Sequence, residues 1–595
     1  MGRGSKIYHR FGLKWALAYR CKKLKRKIKN NTPLCLQKTL MFFRILKLKN
    51  ANKFKIYKIL IQCHCIIDKQ KHLEFIAEHY EEINSWLNSK EFKEKYINTN
   101  HPYPPLLNPE RLNAKVESCK DNKLSALSLR GTNQVRDETI HNVAYFKDSI
   151  AESRMDKIID CHDSTNAESC NDKCQSIETD CKAQNLQSQS KSAESIQPYP
   201  NLSYESIPPE LAWDLNLPLP PYYGFVYWGS HGSGNTGLAT FLRYCGIFEC
   251  YYESDIEVRE IYGEYFDRII QKSKQKRFSH LTLINLTDKP NGDKFYSLIS
   301  CGFSLNLVRD PISMLKSYMG MKRLGKAKRG ITLHSDMNEV CQNLVRYDGK
   351  LGVTPDIERI SFWINLRYLC FHDTQLKNAL INIQDSIAID MTEIVGEKTF
   401  DTILKLSKEL GFPAPKEKYR EKFKENIAKY GALLPLTLVV QSQKHRLSLY
   451  ILDSVHRIED TIYLTNVAAT IMREIKHCLD ITQDLFHQSY FYDGIIVCIA
   501  SKDWEILKRD SKTLQEVKDY LLKFIPRLQQ QKEIEDKKKI TESQVLEYFK
   551  EHKDLRIQFK QVLDEHLAYI KSVRPDIVES WKYYQEFERM CEELD

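Results

Sequence analysis

The chain has 595 residues, a net charge of +11, 42% hydrophobic residues and 28% charged ones. That balance is too apolar for an intrinsically disordered protein and too long for one small domain, so roughly two to four domains are expected. No run approaches the roughly 18 to 20 apolar residues that span a bilayer, no signal-peptide core is visible, and 17 scattered cysteines exclude a disulfide scaffold. The expected location is the cytoplasm or the inner face of the cytoplasmic membrane.

Residues 1–67 hold 18 Lys and Arg and no acid before Asp68, leaving 71 basic against 78 acidic residues in the rest. This block reads as a basic amphipathic arm. Trp15, Ala18 and Tyr19 stand at helical spacing, and Leu40, Met41, Phe42, Phe43, Ile45, Leu46 and Leu48 are interleaved with Arg44, Lys47 and Lys49. Bulky apolar groups among lysines suit a helix in an anionic headgroup layer, which favours a membrane surface over nucleic acid as the arm's partner. The Cys63, His64, Cys65 triplet lacks a second ligand pair and is read as ordinary.

Residues 68–118 read as a helical segment around Phe75, Ile76, Tyr80, Ile83 and Trp86, stopped by Pro102, Pro104, Pro105 and Pro109. Residues 119–205 turn polar and lose periodicity, as a flexible linker does. Its Cys161, His162, Cys170, Cys174 and Cys181 lack paired CxxC knuckles, so no metal is expected. After an alternating stretch, Leu211, Trp213, Leu215 and Leu217, strands and helices take turns to about residue 415, the pattern of a parallel sheet with crossovers. The α/β domain is placed at 206–425. A mixed α/β extension follows at 426–510, with β-like runs at Leu436 to Val440 and Gly494 to Ala500 and a helix around 465–485. Residues 511–595 form a helical tail punctuated by Pro526 and Pro575, with Thr541 and Gln544 in capping-box positions.

Two motifs carry chemistry. The short strand Phe225 to Trp228 runs into Gly229-Ser230-His231-Gly232-Ser233-Gly234-Asn235-Thr236-Gly237 and then a helix. Glycines let backbone N–H groups converge, the helix start is partly positive, and Ser233, Asn235 and Thr236 can donate to phosphate oxygens. Asn235 stands where GxxxxGK[ST] requires lysine, which disfavours nucleoside-triphosphate hydrolysis. The second motif is the strand Phe303 to Val308, ending in Arg309-Asp310-Pro311. Asp310 suits an N-cap and Pro311 a first helical position, so Arg309 lies at the strand end and Ser317 two turns along the helix. A phosphate there can take charge-assisted bonds from Arg309 and one from Ser317.

The pair resembles the two nucleotide-phosphate sites of sulfotransferases that use 3'-phosphoadenosine 5'-phosphosulfate. Ser233, Gly234 and Thr236 match the core of the 5'-phosphosulfate loop, and Arg309 followed eight positions later by Ser317 matches the 3'-phosphate site. The order agrees beyond them: Ser361-Phe362-Trp363-Ile364, then Ser386 to Asp390, then Ile403, Leu406 and Leu410 before Gly411-Phe412-Pro413. The resemblance covers about residues 222–415 and implies a P-loop-like parallel sheet flanked by helices, to which the sequence pattern adds helical N- and C-terminal regions. It further implies transfer of a sulfuryl group from that donor to a hydroxyl or amine, with no metal; a glycan or membrane-associated acceptor fits the basic arm. The cofactor-binding set is Gly232, Ser233, Gly234, Asn235, Thr236, Arg309 and Ser317.

Departures fall on the catalytic groups. Gly232 occupies the place of the family's lysine, a role left to His231, Lys289 or another base. The family's catalytic histidine turn is replaced by Thr287-Asp288-Lys289-Pro290, making Asp288 the expected general base, with His280 and His231 as alternatives. The basic stretch Lys322, Arg323, Lys326, Lys328 and Arg329 reads as a solvated loop. The rival readings are a transferase using another nucleotide donor and a non-catalytic, membrane-peripheral scaffold. The Pro104 to Pro109 and Trp213 to Pro221 segments also resemble an uncharacterised family of epsilon-proteobacterial proteins, which implies a bacterial origin.

Overall fold

The computed structural model describes residues 33–113, 197–250, 256–283, 285–320, 322–324, 330–347, 352–366, 370–427, 429–466, 469–486 and 494–593. The chain divides into two units, one comprising the chain up to Pro109 and from Tyr204 onward, the other Glu110–Ser203. In the second, Arg111 donates to the Gln197 carbonyl at 2.8 Å and lies over the Tyr199 ring. Trp15, Ala18 and Tyr19, the five Cys and His positions from Cys161 to Cys181, and Lys326, Lys328 and Arg329 lie outside the described residues.

The larger unit begins with helices α1 (Leu34–Leu46), α2 (Lys53–Gln62), α3 (Gln70–Glu78) and α4 (Tyr80–Asn88). Their apolar stripes, Met41, Ile45, Ile56, Leu60, Leu73, Ile76 and Ile83, are buried together. The helical segment expected over 68–118 is broken at His79 and Ser89. The described part of the basic segment is therefore a packed helical layer and not a detached arm. It is tied to the body by Asn216, which donates to the Cys63 carbonyl at 2.6 Å. Cys63 and Cys65 are buried free thiols, and burial pushes Cys63 up to about 12. The alternating stretch before the sheet is not extended: Pro209 starts a short helix, α5 (Pro209–Asp214).

The α/β body is a five-stranded, all-parallel sheet of β1 (Val226–Gly229), β2 (Phe248–Cys250), β3 (Ser279–Leu283), β4 (Phe303–Val308) and β5 (Asp385–Asp390), in the order β2-β3-β1-β4-β5. Between them run α6 (Asn235–Tyr244), α7 (Val258–Lys274), α8 (Gly292–Ser297), α9 (Pro311–Met319), α10 (Ile360–Asn365) and α11 (Asp373–Ala379), with α12 (Thr399–Leu410) after β5. Alternate residues of β1 and β4, Phe225, Tyr227, Leu305 and Leu307, pack on Leu238 and Phe241 of α6 and Ile403 and Leu406 of α12. Val308 and Ala388, of opposite parity, join α9, α10 and the C-terminal helices in a second core.

A second sheet contains β6 (Leu436–Ser442), β7 (His445–Asp453), the short β10 (Cys478–Asp480) and β11 (Ile495–Ala500), with the two-residue strand Gly330–Ile331 at its edge. Helices α13 (Ser501–Arg509) and α14 (Ser511–Lys537) cover it through Trp504, Leu507, Leu521 and Phe524. The helix expected around 465–485 is instead a hairpin, β8 (Thr461–Asn466) with β9 (Ala469–Ile475), followed by β10 and a four-residue helix at Thr482–Leu485. The tail is α15 (Glu542–Glu551), α16 (Lys553–Val573), α17 (Pro575–Ser580) and α18 (Lys582–Glu592). Thr541 and Gln544 form the expected capping box, and Pro575 opens α17, whereas Pro526 lies inside α14 without ending it. Val545, Phe549, Phe559, Leu563 and Phe587 share the core of α9 and α10. This tail is a wall of the α/β body and not a separate module.

Candidate functional site

Connections leaving β1 run toward the β2 edge, and the one leaving β4 runs toward β5. The carboxyl ends of β1 and β4 therefore flank the point where strand order reverses, where open α/β sheets place a ligand crevice. The Gly-rich loop leaves β1 there and Arg309-Asp310-Pro311 leaves β4. The fold brings together the two motifs that lie more than seventy residues apart in the sequence.

The loop is braced from within. Asn235 Oδ1 accepts from the Tyr227 hydroxyl at 2.5 Å and lies 3.0 Å from Ser233 Oγ, while Nδ2 donates to Gly229 O at 3.0 Å and reaches Ser230 O at 3.3 Å. Ser233 is fully buried, with its hydroxyl 2.7 Å from Ser230 O. Both side chains thus satisfy the loop's own polar groups and are not presented to a phosphate, contrary to the sequence expectation. A Cβ at Gly229 would lie 2.4 Å from Asn235 Oδ1, so a larger residue there would displace the side chains that brace the loop. Gly234 holds φ +110°, in the region glycine favours, close against Met391. What remains for an anion is the exposed Thr236 and the backbone N–H groups of Asn235 and Thr236, which have no intrahelical acceptor in the first turn of α6.

Arg309 closes the other side. Its Nη1 donates to Gly232 O at 2.9 Å and to Ser317 Oγ at 3.0 Å, and the Ser317 hydroxyl in turn donates to Ser313 O at 2.9 Å. Among the described residues Nη2 and Nε of Arg309 make no protein bond. Burial pulls the guanidinium's pKa down, against Glu542, Asp310 and Asp390, which raise it; an arginine remains charged under that contest. The Tyr318 hydroxyl donates to His231 O. Gly232 therefore meets Arg309 through its carbonyl, and the cation sits beside the place where the expected lysine is missing. Asp310 caps α9 through Oδ1, bonded to Ile312 N at 2.9 Å and Ser313 N at 3.3 Å, while Oδ2 accepts from Tyr583 N at 3.0 Å and Tyr584 N at 3.1 Å. One carboxylate thus holds the starts of two helices.

Sequence reasoning missed a buried titratable group under the loop. Ser230 donates to Asp373 Oδ1 at 3.1 Å, and burial pushes this carboxyl up to about 7. His566 of α16 accepts from Asp373 N at 3.1 Å through Nδ1. Its Nε2 lies 3.9 Å from Asp373 Oδ2, but burial pushes both His566 and the adjacent His372 down to about 3, so this contact is not an ion pair near neutrality. No local pattern signals an Asp and a His almost two hundred residues apart.

The candidate bases separate. His280 is corrected: it is 1% exposed, stacks on Phe225 at 5.1 Å, and is pushed down to about 3 by burial. The β1–β3 register aligns Val226 with Leu281, so His280 lies level with Phe225, about 13 Å before the loop at a rise near 3.3 Å per residue. It belongs to the sheet interior and cannot reach the crevice. Asp288 is exposed on the turn after β3 and His231 is exposed at the loop, both at the carboxyl end of the sheet. Lys289 faces a different cavity, described below, and not the loop. Among the described residues no cluster of His, Cys, Asp and Glu is arranged to hold a metal ion.

A family described as a protein of unknown function (DUF2972) matches residues 388–594. The match begins inside β5 and runs past the end of α18, so it takes in β6, β7, β10, β11 and the tail and leaves both phosphate-site motifs outside it. No curated protein and no solved structure matches the chain.

Proposed function

We propose that the chain binds a 3'-phosphoadenosine nucleotide at the β1/β4 crevice and acts as a sulfotransferase. In this reading it moves a sulfuryl group from 3'-phosphoadenosine 5'-phosphosulfate to a hydroxyl or amine of a glycan or membrane-associated acceptor. The observation that carries it is Arg309 with Ser317, a cation and a hydroxyl 3.0 Å apart beside a Gly-rich loop at a switch point. The 3'-phosphate would take Nη2 and Nε of Arg309, and the Ser317 hydroxyl once its proton turns away from Ser313 O, while the 5'-phosphate would take the N–H groups of Asn235 and Thr236 with the Thr236 hydroxyl. The acceptor oxygen or nitrogen attacks sulfur, the bond from sulfur to the 5'-phosphate oxygen breaks, and the acceptor's proton passes to Asp288 or His231. The leaving phosphate gains its charge without the family's lysine.

One observation favours the second reading, a non-catalytic membrane-peripheral scaffold: Ser233, Asn235 and one arm of Arg309 are already spent on loop carbonyls. Membrane docking in either case rests on α1 and α2, which expose Leu36, Leu40, Phe43, Leu46 and Phe54 among lysines. No described helix is long and apolar enough to cross a membrane. The two readings part in an assay of donor turnover with phenolic, glycan and amine acceptors. The enzyme reading expects release of 3'-phosphoadenosine 5'-phosphate, reduced about 10²-fold or more by Asp288→Asn if Asp288 is the base, or by His231→Asn if the loop histidine is. Turnover at the buffer rate by folded wild type leaves the scaffold.

A further inference from the structure

A cavity of about 860 Å³ lies between the N-terminal helices and the turn that follows β3. Its walls come from α1, from the start of α7 and from the Lys289 to Lys294 segment, with Trp213 and the half-buried Ile66 adding apolar surface. Lys294, only 6% exposed, lines it. Its Nζ stands 4.7 Å from the Trp213 ring centroid and 5.6 Å from that of Tyr103, and it has no hydrogen-bond acceptor among the described residues.

The carboxylates around this ammonium are committed elsewhere. Asp214 pairs with Arg259 at 2.8 Å and with His72 at 2.7 Å, and Asp293 accepts from the Tyr103 hydroxyl at 2.6 Å. The Cys65 thiol is kept neutral by burial. A charge held out of water without a short-range counter-ion is costly, and burial pulls the Lys294 pKa down accordingly. Lys38, Arg44 and Lys289 stand on the same walls, where Asp68 is taken up by Arg259 at 3.4 Å and Glu257 is the remaining acid. Polar capacity in this cavity is therefore cationic, beside an apolar wall that reaches the exposed Leu34 and Leu40 of α1.

We propose that this cavity binds an amphiphilic anion, a carboxylate or phosphate monoester on an alkyl or aryl body, with its charge on Lys294 and its body along Trp213 and Ile66. A lysine ammonium is a compact charge with three rotatable donors, so it accepts either head group. The size is that of a small-molecule site, and aromatic faces beside the ammonium hold it in place when the site is empty. Because Leu34 and Leu40 also belong to the exposed face of α1, the amphiphile can arrive from a lipid layer or from solution. The inference stands on the cavity alone and does not require nucleotide binding at the β1/β4 crevice.

The test is calorimetric titration of the full chain with dodecyl phosphate and dodecanoate below their micellar concentrations, against dodecanol and inorganic phosphate, with dodecyl phosphate in phosphatidylcholine vesicles as a further arm. The alkyl anions should bind at least tenfold more tightly than dodecanol or inorganic phosphate, and Lys294→Met should lower their affinity at least tenfold. That variant removes a buried charge while keeping the stem, so its melting temperature without ligand should not fall. Should it fail to fold, the double variant Lys38→Ser, Lys289→Ser should weaken binding severalfold. Binding from solution assigns a soluble ligand and binding from vesicles alone assigns a lipid; both support the site. Equal affinity for dodecanol, equal affinity of wild type and variants, or no binding in either arm overturns it.

Discussion

Asp373 carries the clearest residue-scale consequence, because its carboxyl is held protonated by burial to about 7 against an ordinary value of 3.8. Its folded pKa is raised, so the stability it contributes is complete below the unfolded value and is lost as pH rises toward and through about 7. Asp373→Asn keeps the acceptor for Ser230 and cannot ionise. In urea unfolding from pH 5 to pH 8, wild type should therefore lose stability relative to Asp373→Asn as pH rises. Asp453, also pushed up to about 7, is common to both proteins and cancels from the difference. Parallel curves would show that Asp373 is not held neutral. At this scale the sequence was legible where a motif is local. Arg309 and Ser317 meet as their spacing implies, and Asp310 and Pro311 cap and open α9. It was illegible for Ser233 and Asn235, whose donor chemistry suits a phosphate equally well until the positions of the loop carbonyls are known. His280 was misread because a histidine near a candidate turn carries no sign of its strand register.

Among the elements, α1 and α2 bear the proposed docking face. Phe43 is 57% and Phe54 70% exposed, with Lys47, Lys49 and Lys53 alongside. Apolar groups of that exposure cost little to replace in the fold and much in a headgroup layer, where burial is worth about 25 cal/mol per Å². The double variant Phe43→Ser, Phe54→Ser should keep the wild-type melting temperature and lose most of its co-flotation with vesicles containing anionic lipid. Salt should weaken what remains. Wild-type protein that does not float, or a variant that floats as well, contradicts the docking face. Element type was legible where caps and periodicity agree, as at Thr541, Gln544 and α15. It failed for 465–485, where β8 and β9 form a hairpin, because short mixed runs satisfy both periods and only cross-strand pairing decides. At Leu211 to Leu217 a period-2 alternation runs into a helix instead, because Pro209 takes the first position of α5.

For the whole molecule, the sequence marked the parallel sheet but not its partners. The tail looks autonomous because its helices are amphipathic and charged, yet Phe549, Phe559 and Phe587 are core residues of α9 and α10, and Asp310 receives the start of α18. Periodicity tells which face of a helix is buried and not what it is buried against. The DUF2972 match takes in the tail but not α9 and α10, against which the tail packs. The proposed function depends on a nucleotide phosphate seated between the Gly-rich loop and Arg309. Its most direct test is calorimetric titration of the full chain with 3'-phosphoadenosine 5'-phosphate, against ATP and UDP, for wild type and Arg309→Ala, with circular dichroism confirming that both are folded. The account predicts binding selective for the 3'-phosphate and at least about thirtyfold weaker in Arg309→Ala, the loss of about 2 kcal/mol expected for a charged hydrogen-bond pair. No binding by folded wild type, or equal affinity in Arg309→Ala, would contradict it.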